Sequence, residues 1–127
     1  MAENNKRPDD SVVEGTLPAG CVAALVYTTF PTKESAMAVG RAMVEARRAG
    51  CINILPAMTS IYVWNGVTEV SDEVVLIAKV PPAGAAAAIA YLSQAHPFEL
   101  PAVLAIPVAA GNTGYLAWLR SGTDTQV

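Results

Sequence analysis

The sequence predicts an α+β fold: a β-α-β-β-α-β order closed by a short C-terminal helix. Three observations carry that expectation. Short apolar runs that end at turns alternate with one stretch of helical periodicity and one of nearly pure alanine. Asn65-Gly66 separates two runs of strand character, which is the strongest short-range hairpin signal. Pro81-Pro82, Pro97 and Pro101 fall between runs rather than inside them, so they punctuate the elements.

Each element has its own reason. Residues 1–18 are polar, mixed in charge and unpatterned, and predict a flexible tail. Residues 122–127 predict a flexible end. The folded domain is expected over residues 19–121. Residues 21–28 form an apolar run ending at a turn, hence a buried strand. Pro31-Thr32 opens a helix of about 17 residues, with Thr32 as N-cap and Glu34 at the positive end of its dipole. Ala36, Val39, Met43 and Ala46 line one face. Arg47 and Arg48 suit the carboxyl end, and Gly50 is the expected stop.

Residues 51–55 read as the second strand, broken by Pro56 and continued over 59–64. There Ile61 and Val63 share one face, Tyr62 and Trp64 the other. After the Asn65-Gly66 turn the chain returns over residues 67–80. Its polar middle, 69–73, implies exposure or a bulge. Its apolar stretch, 74–78, implies a central strand covered on both faces. The alanine-rich second helix spans 83–95 and ends at His96-Pro97. Residues 103–108, bounded by prolines, suit an edge strand. Asn112 caps the final helix, which carries Tyr115, Leu116, Trp118 and Leu119. The order is the split βαβ, or ferredoxin-like, pattern: an antiparallel sheet with two helices on one face and the other face left open.

Composition adds an assembly argument. The chain has 127 residues, 53% of them hydrophobic and only 15% charged, where an ordinary domain has about 25% charged. A domain of this size buries only about two-thirds of its surface. No apolar run reaches the roughly 18–20 residues of a membrane span, so a membrane is excluded as the sink. We expect the excess to be buried against other subunits. A net charge of −3 with scattered Lys and Arg argues against nucleic acid. No signal-like apolar core opens the chain, so a cytoplasmic setting is expected. Cys21 and Cys51 leave a disulfide open, and two inert thiols in a reducing compartment are the plainer reading.

Four segments then stand together: residues 50–56 (Gly-Cys-Ile-Asn-Ile-Leu-Pro), 59–66 (Thr-Ser-Ile-Tyr-Val-Trp-Asn-Gly), 96–101 (His-Pro-Phe-Glu-Leu-Pro), and Gly111-Asn112 with Tyr115, Leu116, Trp118 and Leu119. Their order and separations resemble the CutA divalent-cation-tolerance family over about residues 22–120. The resemblance implies a ferredoxin-like subunit in a tight homotrimer whose long hairpins pair with neighbouring subunits. It also implies a role in tolerance of copper and other divalent ions, with copper bound by some members and no reaction attached.

The resemblance also implies where ligands would stand. His96 matches the family's His-Pro pair, and imidazole is a common copper ligand; the other reading is a histidine that caps a helix end and lines a subunit cleft. Thr28 stands where copper-binding members have Cys, and Ala95 where they have a second His. Cys51 is the other metal candidate. Lys79, with Tyr62, Glu99 and Trp64, is expected to line a ligand cleft, or else to sit in a structural ion pair. Asn65, Gly66 and Trp118 are expected to serve the hairpin and the interface. Val67, Ala102 and Phe98 replace the family's more usual Lys, Glu and Tyr, which makes such a cleft less polar.

Other classes with this element order fit less well. A P-II-like nucleotide sensor needs a long loop where this chain has a two-residue turn. An RNA-recognition motif needs aromatics in a basic strand, and residues 74–78 offer none. An acylphosphatase-like enzyme needs an anion loop with Arg after the first strand. No Ser-His-Asp set is present, and a single His supplies no acid–base pair, so a non-enzyme is expected. The alternative reading is a trimeric scaffold or small-molecule sensor without a metal role.

Overall fold

The computed structural model of the chain describes residues 13–123. The expectations for residues 1–12 and 124–127 lie outside the described residues. The elements are β1 (Ala23–Phe30), α1 (Lys33–Glu45), β2 (Cys51–Trp64), β3 (Val67–Val80), a 3-10 turn (Pro82–Gly84), α2 (Ala85–Ala95), β4 (Val103–Val108) and α3 (Thr113–Ser121). The four strands form one antiparallel sheet in the order β2-β3-β1-β4. The expected ferredoxin-like architecture is present, with β4 at an edge.

The core lies between one sheet face and two helices. Val26, Phe30, Val74, Leu76, Ala78 and Val80 meet Ala36 and Met43 of α1 and Ala85, Ala88 and Leu92 of α2. Small residues bring the layers close. A Cβ on Gly40 would stand 2.8 Å from the Ile52 side chain, so α1 lies nearly on the sheet there. Leu17, in the segment before β1, packs against the same core.

Several local expectations change. β1 starts and ends two residues later than 21–28, leaving Cys21 outside it. Thr32 does cap α1, its side chain accepting from the Ser35 N–H. However, α1 has 13 residues rather than 17, because Arg47 turns left-handed at φ 61°. Gly50 is therefore not the helix stop. It is needed where α3 crosses, since a Cβ there would stand 2.7 Å from Leu119 Cδ1. Arg47 instead donates to the Ser121 carbonyl at 2.9 Å, and the Arg48 guanidinium lies 4.5 Å from the centre of the Tyr91 ring. Asn112 occupies the N-cap of α3, but only its carbonyl engages, accepting from Leu116.

The largest corrections concern β2 and β3. Pro56 does not break β2. It lies in a bulge between Leu55 and Met58, where Ala57 takes φ 65°. A proline is tolerated there because a bulged residue leaves the ladder. The irregularity is thus in β2, and the polar middle of β3 meets the other expectation, exposure, at Val70 and Asp72. Nor are residues 74–78 covered on both faces: Val74, Leu76 and Ala78 are buried, whereas Val75 and Ile77 are half-buried on the open face.

Length explains the overall outline. β2 and β3 have 14 residues each, about 46 Å at roughly 3.3 Å per residue. The 13 residues of α1 span only about 20 Å. The far half of the hairpin therefore lies beyond the helices among the described residues.

Candidate functional site

His96 is the C-cap of α2, in extended backbone. Pro97 follows, and the residue before a proline is biased out of the helical region. The ring is 3% exposed and stacks on Phe30 at 4.4 Å, with Phe98 4.9 Å away. Nε2 donates to the Thr29 carbonyl at 2.5 Å, and Nδ1 accepts from the Phe98 N–H at 3.1 Å. That pattern is a neutral imidazole with its hydrogen on Nε2. Both nitrogens hold backbone, tying the end of α2 to the end of β1. Binding a metal at either would cost one of these buried bonds.

Cys51 opens β2, half-buried and directly across from Lys79. Lys79 in turn lies across from Leu25, whereas the His96 partner Thr29 is four residues further along β1. Along the strands that separation is about 13 Å. The two metal candidates are not brought together within one chain. Thr28, in the Cys position that the resemblance implies, is fully buried, and its hydroxyl has no hydrogen-bond partner among the described residues. Ala95 carries no ligand atom. Among the described residues no group of three or more His, Cys, Asp or Glu could hold a metal. The described side chains of one copy therefore do not gather a set of ligands for a copper ion.

The expected cleft is likewise divided. Tyr62 pairs with Glu69, ten residues before Lys79 on β3, which is about 33 Å along the strand. Its hydroxyl lies 3.3 Å from Ser71 Oγ. Trp64 stands at the hairpin tip, paired with Val67. Asn65 and Gly66 make the turn at φ 52° and 80°, both left-handed as a type I′ turn needs. Glu99 is exposed in the loop before β4. Lys79 instead meets α3: Nζ donates to the Tyr115 hydroxyl at 3.3 Å and sits 5.3 Å from that ring's centre. The Trp118 ring lies 5.5 Å from Tyr115, yet Trp118 is 54% exposed and so is no core residue of a single copy.

Sequence reasoning missed Glu73. It is 4% exposed; Oε1 accepts from Ser60 Oγ at 2.6 Å, and Oε2 is buried without a partner among the described residues. Its cross-strand neighbour is Met58, whose sulfur accepts from the Tyr27 hydroxyl at 3.5 Å. A carboxylate inside a polar stretch reads as solvated, so its burial had no local signal. The bulge supplies the cause: one extra residue in β2 puts Met58 and Ser60 on the face that Glu73 occupies.

Comparison with known proteins agrees with this geometry. The family model described as CutA1 divalent ion tolerance protein matches residues 24–122. The chain is 37% identical over 99 residues to the divalent-cation tolerance protein CutA of Thermus thermophilus, covering 78% of this chain and 96% of that one. It is 38% identical over 111 residues to human protein CutA, covering 87% of this chain and 61% of the human one, so it spans less than two-thirds of that longer relative. The solved Thermus thermophilus divalent cation tolerance protein superposes with a TM-score of 0.76 at 36% identity, covering 80% of this chain and 99% of that one. CutA1 from Oryza sativa gives 0.77 at 30% identity, covering 83% and 96%. With all three helices, all four strands except Ala23, and all four sequence segments inside the matched region, the chain belongs to the CutA1 divalent ion tolerance family.

Proposed function

We propose that the chain serves divalent-cation tolerance as a homotrimer joined through its β2–β3 hairpins. In this reading copper, or another divalent cation, is held by groups from more than one copy, and no reaction is catalysed. One observation carries it. Ile61, Val63 and Val70 form a row on one face of the hairpin, and each is 65–70% exposed. Side chains of that kind are normally withdrawn from water, and a contiguous exposed set marks an interaction surface. The apolar excess of the sequence and the family's long hairpins support the same arrangement. Because the described residues of one copy gather no set of three ligands, a bound ion in this reading draws on groups from more than one copy.

Sedimentation equilibrium tests the assembly, and a trimer of the 13.2 kDa chain is expected. The double variant Ile61→Asp, Val63→Asp is expected to sediment as a monomer. Calorimetric titration with Cu²⁺ then tests the shared ion. Binding should be present in the trimer and lost in the monomeric variant. A monomer that takes up copper as the trimer does would refute the shared site. Equal binding by wild type and His96→Ala would remove His96 from it.

A further inference from the structure

We propose that Lys79 and Tyr115 form a carboxylate-binding site on the open face of the sheet, one whose anion the described residues of a single copy do not supply. Lys79 is half-buried, flanked across the strands by Leu25 and Cys51. Its ammonium has the Tyr115 hydroxyl and ring as partners, and both are neutral. The only ion pair among the described residues is Arg41–Glu45, on α1. Lysine is rarely withdrawn from water without a counter-charge, because its ammonium gives up hydration there. A phenol and a ring face offset only part of that.

The groups present select the anion. The Tyr115 oxygen accepts from Lys79, which leaves its own hydrogen to donate. An ammonium and a hydroxyl donor side by side match the two oxygens of one carboxylate. The charge balance is one to one, so a phosphate dianion would leave a charge uncompensated beside Leu25 and Cys51. Trp118, exposed beside Tyr115, offers an apolar ring to the body of the acid. The carboxylate comes either from a small free acid or from a side chain of a second copy. The second source rests on the homotrimer proposed above, and the first does not.

The full chain should be titrated with acetate and with benzoate, following the Lys79 and Tyr115 side-chain resonances by NMR. The self-association constant is measured on the same samples by sedimentation. Wild type, Lys79→Met, Lys79→Arg and Tyr115→Phe are compared. A free-acid site gives saturable shifts that weaken at least about tenfold in Lys79→Met and several-fold in Tyr115→Phe, as expected for a charge-assisted hydrogen bond. A second-copy source gives no saturable shift but weakens association by the same factors. Lys79→Arg keeps most of either effect. Should Lys79→Met fail to fold, Lys79→Arg and Tyr115→Phe still decide. No saturable shift together with unchanged association overturns the proposal, as does a shift that the variants leave unaltered. A chain that proves monomeric defeats the assembly reading but leaves the acid titration intact.

Discussion

The two ends of the β2–β3 ladder are made from one pair of strands and have opposite surroundings. At the core end Leu76, Ala78 and Val80 are fully buried under α1 and α2. At the hairpin end Ile61, Val63 and Val70 stand in water. Ile61 and Val63 alternate along β2 as Leu76, Ala78 and Val80 do along β3, so alternation alone does not separate the two ends. The difference is reach. Strands of about 46 Å outrun a helix of about 20 Å, and whatever lies past the helix needs another cover. The pair shows that an apolar face in a strand reports a need for burial, not its fulfilment within the chain.

The sharpest way to break the contrast is at the core end. Leu76→Ala should destabilise the fold by about 2–5 kcal/mol, since the site is closed on all sides and a cavity stays open; urea denaturation reads this as a lower midpoint. At the seam between the ends, Ser60→Ala removes the partner of a buried carboxylate oxygen. A loss of about 1.5–3 kcal/mol is expected. A double-mutant cycle with Glu73→Gln should return a coupling energy of the same sign, and additive effects would show that the two side chains do not act together. At the hairpin end, Val70→Ser should change the stability of an isolated copy by less than about 0.5 kcal/mol. Its effect should appear as weaker association in sedimentation. A large loss of stability in a monomeric background would mean that this face is already packed within the chain.

How much of this was legible follows from the range of each interaction. The Asn65-Gly66 turn was readable because its requirement, two left-handed residues, is local. So were the Thr32 cap and the end of α2 at His96-Pro97. The helix stops before Gly50 because Arg47, rather than the glycine, takes the left-handed conformation. Gly50 answers instead to Leu119, nearly seventy positions away in sequence and adjacent only in the fold. At the candidate site, His96 stands out in the sequence by its motif. Its role as a link between backbone segments was not, because Thr29 reaches it only after the sheet forms.

The order of elements, the single hairpin and the surplus of apolar surface follow from the chain alone. Each rests on period, turn chemistry or composition, which are properties of neighbouring residues or of simple sums. Which face each side chain occupies does not follow in that way. One bulged residue at Pro56–Ala57 reverses the alternation of everything beyond it in β2. It sends Ser60 and Tyr62 to the side of Glu73 and leaves Ile61 and Val63 opposite. A side-chain period of two has no memory of an inserted residue, so only the pairing of β2 with β3 could place the bulge and, with it, both the buried carboxylate and the bare apolar row.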